Sequence, residues 1–405
     1  MRIRRWVICT TLALLTSLFS LAAPQADFPS FEKHVIDDEF RNGYQTAVAD
    51  IDRDGRPDVI ALSTTPARLR WYRNPGWQVF RITAATRGNI DLAPYDIDRD
   101  GDTDLALASA FNLGDSTTGG LVHWLECPPD PASGARWTLH AIDAVPTTHR
   151  LRWADLDGDG RKELLNLPII GVGAQAPDYA VGVQFKAYTI PPKPREDPWP
   201  AVVLDDTLEL AHGLAVIRTE EDDRDSLLTA SFGGVHRFRI PPGAEQPEKT
   251  RLGIGHEGPR PQQGSSEVDF GHLTAPKRPF IATIEPWHGN EVVVYSPDAA
   301  GATPWTREVI DTTFNEGHAL CCADLDQDGN DEIIAGHRGP DYSLYLFRYD
   351  AAQATWQRIP LDVGGMACSG LAIADLNQDG RPDIVAAGTA TNNIVWYENR
   401  PRATE

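Results

Sequence analysis

The sequence predicts an all-β protein, a seven-bladed β-propeller of four-stranded blades, and three observations predict it. A nine-residue acidic cluster recurs five times, similar apolar strands surround every copy, and the strand count balances only if the N-terminal strand completes the last blade. With a repeat present, 405 residues need not mean two or three domains.

The cluster reads DIDRDGRPD (Asp50, Asp52, Asp54, Asp58), DIDRDGDTD (Asp96, Asp98, Asp100, Asp104), DLDGDGRKE (Asp155, Asp157, Asp159, Glu163), DLDQDGNDE (Asp324, Asp326, Asp328, Glu332) and DLNQDGRPD (Asp375, Asn377, Asp379, Asp383). Side-chain oxygens at positions 1, 3, 5 and 9, a backbone carbonyl at 7 and a turn-permitting glycine at 6 provide the hard-ligand cage that calcium prefers. A merely solvated acidic turn does not account for five copies with one spacing. The expected cofactor is calcium, structural rather than catalytic, at about five sites.

Short apolar runs such as TAVA and LAIA precede the clusters, and VIALS, LALAS, ELLNL, EIIAG and DIVAAG follow them. They read as strands buried on both faces, so each cluster joins two antiparallel strands. Between the clusters at 155 and 324 two degenerate repeats fit. His212 to Ser231 has Arg218 at the first ligand position and Asp223 where glycine belongs, and Ser266 to Pro286 lacks the cage altogether. Third strands lie near Arg70, His123, Val293, Tyr345 and Trp396, and fourth strands follow at Trp77, Trp137, Trp199, Glu248, Trp305 and Trp356. The seventh repeat stops after its third strand, while a strand of the fourth type, Phe31 to Asp38, opens the mature chain. Pairing Phe31–Asp38 with the strand around Trp396 closes the ring and removes the exposed edge of a linear array.

Residues 1–22 have the basic start (Arg2, Arg4, Arg5), apolar run and small-residue end of a cleaved secretory signal, with cleavage expected near Ala22 and export to the periplasm or beyond. Residues 23–405 then form one propeller domain with no membrane-spanning stretch. The formal charge of −21, which becomes −24 without the three arginines of the signal, excludes nucleic acid as a natural partner. Cys127, Cys321, Cys322 and Cys368 have no metal-ligand spacing; a bridge from Cys321 or Cys322 to Cys368 and buried free thiols are both compatible with an oxidising compartment.

Six residues before each cluster the chain starts the first strand of a blade, on the propeller face opposite the acidic loops. The residues there are Tyr44, Ile90, His149, His212, Ser266, His318 and Ser369. His149, His212 and His318 share one position on three blades and would meet at the channel mouth, where neutral imidazoles can hold zinc or another divalent transition metal and leave a coordination position open. Glu267 is a candidate fourth ligand or base. Catalytic candidates on the same face are Glu267, His288 and Arg150; substrate-binding candidates are Trp287, suited to stacking on a sugar, with Arg152 and Arg338. His337 lies beside Arg338. The competing reading of each is an ordinary hydrogen-bonded rim residue.

The five DxDxDG clusters resemble the FG-GAP or VCBS repeats of secreted bacterial propellers, a family related to integrin α-subunit heads. More narrowly, THRLRWADLDGDG, AHGLAV, IEPWHGN, EGHALCCADLDQDG and the closing WYEN resemble the propeller portion of the aldos-2-ulose dehydratase family. That resemblance implies metal-assisted elimination of water from a keto-sugar, with the metal near His149, His212 and His318. The family carries cupin domains after the propeller, and this sequence ends at Glu405, so activity housed in those domains is not assigned to it.

Two functions follow as expectations. One is a metal-dependent carbon–oxygen lyase acting on an oxidised sugar, in which Glu267 or His288 takes the proton. The alternative is a non-catalytic propeller that presents a carbohydrate- or protein-binding rim. A polysaccharide lyase would need a longer basic groove than Arg150, Arg152 and Arg338 supply.

Overall fold

The computed structural model describes residues 28–82, 85–218, 223–244, 246–274 and 277–401. The expected signal sequence lies outside the described residues. Among the described residues, seven four-stranded antiparallel sheets form the architecture, with one short 3-10 turn at Pro131–Ser133. The first strands of blades 1 to 7 are Gly43–Ala49, Asp91–Tyr95, Thr148–Ala154, Gly213–Arg218, Val268–Thr274, Gly317–Ala323 and Cys368–Ala374. Among the described residues no helix is long and apolar enough to cross a membrane.

The ring closes as the strand count requires. Ser30–Asp37 pairs antiparallel with Ile394–Arg400, bringing Phe31 opposite Asn399 and His34 opposite Trp396, and becomes the fourth strand of blade 7.

Strand periodicity explains how the ring is packed. Successive side chains of a strand point to opposite faces, and here each face meets a different blade. In the second strand of blade 1, Ile60 and Leu62 join Leu105 and Leu107 of blade 2, while Val59 and Ala61 turn to Val385 and Ala387 of blade 7. Seven apolar clusters result, one at each junction between blades. The same alternation separates Cys321, which faces the junction with blade 7, from Cys322, which faces blade 5. All four described cysteines are free thiols, so neither bridge to Cys368 is formed.

A polar lock repeats outside these clusters. The acidic residue closing a fourth strand accepts a cation from the next blade: Asp37 from Arg70 at 2.9 Å, Asp143 from Lys186 at 3.0 Å, Asp205 from Lys249 at 2.9 Å, Asp311 from Arg358 at 2.8 Å and Asp362 from Lys33 at 2.6 Å. Tyr72, Tyr188 and Tyr397 donate their hydroxyls to three of these carboxylates. Pairs near the surface contribute little singly, but the tyrosines bring them partly into the interior.

The second residue of each acidic cluster anchors its loop in a junction: Ile51, Ile97, Leu156, Leu325 and Leu376 are all buried. Replacing Leu325 by Ala is expected to lower unfolding free energy by about 2–5 kcal/mol, against less than about 0.5 kcal/mol for Val363→Ala on the exposed fourth strand. Urea denaturation measures both, and equal effects would contradict this packing.

Candidate metal centre at the channel mouth

A backbone irregularity turns the mouth residues inward. In blades 1, 3, 6 and 7 the pairing of the first two strands skips one residue, and the skipped residues are Tyr44, His149, His318 and Ser369. Each is the unpaired extra residue of a bulge, which re-aims its side chain away from the sheet. His212 immediately precedes the first strand of blade 4 and is held by its N–H to Ala230. His288 comes from the loop between the second and third strands of blade 5 and has a left-handed φ of 48°, uncommon for a residue with a Cβ.

These residues converge. The His212 ring lies 4.6 Å from that of His149, 4.8 Å from His288 and 5.2 Å from His318, centroid to centroid. His212, His288 and His318 can each direct a ring nitrogen so that all three lie within 4.8 Å of one another. His212 Nε2 is 3.0 Å from His288 Nε2.

The hydrogen bonds behind the rings fix their tautomers. His212 Nδ1 is 2.9 Å from Glu267 Oε1 and His318 Nδ1 is 2.8 Å from the Ser369 carbonyl; both neighbours only accept, so both Nδ1 atoms carry the proton and both Nε2 atoms present lone pairs. A carboxylate or carbonyl behind a histidine in this way orients metal ligands. Burial, the main cause, lowers all four imidazoles below the ordinary histidine range, so they are neutral as ligation requires. The donor set therefore fits a divalent transition metal.

Several candidates take positions that their residue type alone did not indicate. His149 belongs to the cluster, but its Nε2 lies 3.3 Å from both Arg150 Nη1 and Tyr44 Oη, and its place among the three converging nitrogens is taken by His288. Glu267 is poorly suited to be a base or fourth ligand. Burial would raise its carboxyl, but Arg150 and His212 outweigh that and hold it at about 2, and it serves as the orienting partner of His212. Arg150 is buried, with its guanidinium 2.8 Å from Glu267 and 3.3 Å from His149 Nε2. Arg152 lies deeper, on a channel cavity of about 400 Å³, where it is paired with Asp91 at 2.9 Å; this places it away from the rim. Trp287 is on the rim, 5.9 Å from Tyr179 and 4.8 Å from His288. Arg338 stands beside the start of blade 6, its N–H bonded to the Glu316 carbonyl. His337 packs against Phe314 and Tyr345.

Tyr44 shares the mouth position in the sequence and joins the site, although it is not among the sequence candidates. Its hydroxyl lies 3.1 Å from His318 Nε2 and 3.3 Å from His149 Nε2. The signal was available, since Tyr44 precedes its acidic cluster by the same interval as the histidines do.

On the opposite face the five acidic loops share one geometry. The glycine at position 6 has φ between 82° and 91° and donates its N–H to the first aspartate in every copy. The carboxylate at position 9 accepts the N–H of position 2 in every copy, at 3.0 or 3.1 Å. Asp50/Asp52/Asp58, Asp96/Asp98/Asp104 and Asp155/Asp157/Asp159 each gather ligand atoms within 4.8 Å. Asp96 Oδ1, Asp324 Oδ1 and Glu332 Oε1 are buried without a protein hydrogen-bond partner. Burial, with neighbouring carboxylates, raises Asp58 to about 7 and Glu332 to about 9. In blade 4, Arg218 stands 3.3 Å from Asp225, placing a fixed positive charge at the degenerate site. The donor set of the five loops fits calcium.

The fold is a seven-bladed β-propeller, and a family model described as FG-GAP-like repeat matches residues 50–107 and 324–386. A second family model, the β-propeller domain of aldos-2-ulose dehydratase, matches residues 119–298, which carry His149, His212, Glu267 and His288. The aldos-2-ulose dehydratase of Phanerodontia chrysosporium is 28% identical over 240 residues, 55% of this chain and 26% of that protein, so the chain matches about a quarter of the length of this relative. Among solved structures, a putative 6-phosphogluconolactonase from Bacteroides uniformis superposes with a TM-score of 0.51 at 14% identity, covering 89% of this chain and 95% of the other. BBS1N, solved in complex with ARL6DN, superposes at 0.55 and 10% identity, with 91% and 96% covered. These two share the fold alone.

Because Arg150 is buried against a single carboxylate, Glu267→Ala would leave its charge uncompensated, and a loss of about 3–5 kcal/mol in stability is expected. Chemical denaturation measures it; a change below about 1 kcal/mol would mean that the pair is not held as described.

Proposed function

We propose that this is an exported, calcium-stapled propeller that holds one divalent transition metal at His212, His288 and His318 and acts as a carbon–oxygen lyase on an oxidised sugar. The observation that carries the reading is the convergence of three neutral imidazoles, two of them held with the proton on Nδ1 so that Nε2 is the unprotonated nitrogen. The match to the dehydratase propeller over the segment containing His212 and His288 supports a sugar-directed elimination.

A bound ion would polarise a carbonyl oxygen of the substrate and so acidify the neighbouring C–H. The protein's part is to bind and orient. Glu267, fixed by Arg150, holds His212 in one tautomer, and the Ser369 carbonyl does the same for His318. Trp287 and Tyr179 offer an aromatic wall at the rim for a sugar face. Tyr44 Oη, within reach of two imidazoles, is the hydroxyl placed to hold or move a proton there.

Calcium in the five loops would neutralise the buried, partnerless carboxylate oxygens and fix the face opposite the mouth. Export rests on the character of residues 1–22.

Elemental analysis of protein purified without chelator or histidine tag is expected to find about one zinc- or manganese-class ion per chain beyond calcium. His212→Ala should lose that ion and reduce elimination from a keto-sugar by more than the roughly 10–100-fold typical of changes behind a ligand, with the fold kept. Calcium alone, together with keto-sugar binding and no turnover, would make the mouth a binding site instead.

Chelation of calcium is expected to lower stability by about 2–3 kcal/mol for each site that had been held at roughly 100 times its dissociation constant. Thermal unfolding with and without EGTA reads this directly, and coincident curves would exclude calcium as a staple.

A further inference from the structure

The channel below the mouth holds a cavity of about 400 Å³, within the roughly 300–1,000 Å³ of small-ligand pockets. It spans the first strands of four consecutive blades, 7, 1, 2 and 3. Its lining starts just past the mouth residues: Gln45 follows Tyr44, Asp91 follows Ile90, and Leu151 stands two positions after His149, where a strand advances about 3.3 Å per residue. Ala47 and Ala372 make the room, since both line it and both are only half-buried.

Among the described residues that line the cavity, Asp91 and Arg152 alone are charged, and they cancel. The Asp91 side chain is 1% exposed and both its oxygens are engaged, accepting the Leu92 N–H at 3.0 Å, the Leu151 N–H at 2.9 Å and Arg152 Nη1 at 2.9 Å. It therefore acts as an anchor. The Arg152 side chain is 35% exposed, and its bonds to Asp91 and to the Leu151 carbonyl both leave from Nη1. Nε and Nη2 of the same rigid fork remain as donors on the cavity wall. Trp153, fixed by its Nε1–H to the Ala93 carbonyl at 3.1 Å, adds an aromatic surface.

We infer that this channel cavity is a binding site for an uncharged, polyhydroxylated ligand of monosaccharide size, with Arg152 donating to its oxygens. The inference deepens the proposed sugar-directed reading, on which it rests for the class of ligand, and places the sugar on the channel side of the imidazoles. A balanced pair favours a neutral ligand. An anion would gain Arg152 but meet the fixed charge of Asp91, whereas hydroxyl and carbonyl oxygens accept from the fork and leave the pair intact.

Titration calorimetry with D-fructose, a neutral keto-sugar, and D-gluconate, an anion of similar size, reads the site. Fructose is expected to bind at least about tenfold more tightly than gluconate. Ala47→Phe and Ala372→Phe, made separately to fill the cavity, should each weaken fructose by at least about tenfold. Arg152→Lys keeps a charge beside Asp91 but loses the fork, and should weaken it by about three- to tenfold. No fructose binding, gluconate bound as tightly as fructose, or an affinity unchanged in the filled variants or in Arg152→Lys would each overturn the assignment. A cooperative urea transition in all three variants guards against misfolding. Metal content and turnover are read separately. A metal-free, inactive protein whose fructose binding is still lost in Ala372→Phe defeats the lyase reading and leaves the cavity site standing. Turnover of a keto-sugar that is indifferent to filling the cavity defeats the cavity site and leaves the lyase reading standing.

Discussion

Ring closure is the constraint on which everything else depends. Every blade is apolar on both faces, so no blade can be satisfied until it has two neighbours, and Ser30–Asp37, paired with Ile394–Arg400, completes blade 7 where it meets blade 1. Closure also covers the apolar faces that the two end blades of an open stack would expose. The polar lock from Asp362 to Lys33 and Tyr397 sits at this seam, tying the N-terminal strand to blade 6 as well as to blade 7.

The acidic loops form a second ring. Gln378 donates to the Gly55 carbonyl at 2.6 Å and Gln327 to the Gly380 carbonyl at 2.5 Å, while Thr103 reaches the Asp50 carbonyl. Asn74 and Asn399 each donate to the loop of the preceding blade, at Leu376 and Leu325. Where the acidic cage has decayed the links persist in other forms. In blade 4, Asp225 accepts the N–H of Asp155, and the blade 5 hairpin is held at His272 and Thr274 by Asp331 and Asn330.

Blade number, loop positions and closure were legible because they rest on period-two patterning and fixed spacing, which one sequence displays. The mouth was half legible. Counting back from the clusters found His149, His212 and His318, since position along a repeated unit translates into position around a ring. It could not reveal that His288, on a loop of no repeating form, would take the place of His149 in the converging set, because that loop has no fixed interval from an acidic cluster. Nor could composition show that Glu267 is neutralised by a buried arginine and hence unsuited to take a proton. The recurrent acidic ends of the fourth strands, as in HAID and PLD, were visible in the sequence, but their cation partners lie in other blades and only the fold pairs them.

The bulges at Tyr44, His149, His318 and Ser369 have a wider consequence. A residue skipped by the ladder has no cross-strand partner to lose, so its identity can change while the blade keeps its register. The mouth then behaves as a set of interchangeable sockets on a fixed turret: chemistry can be rewritten one socket at a time, and the scaffold beneath does not have to be solved again.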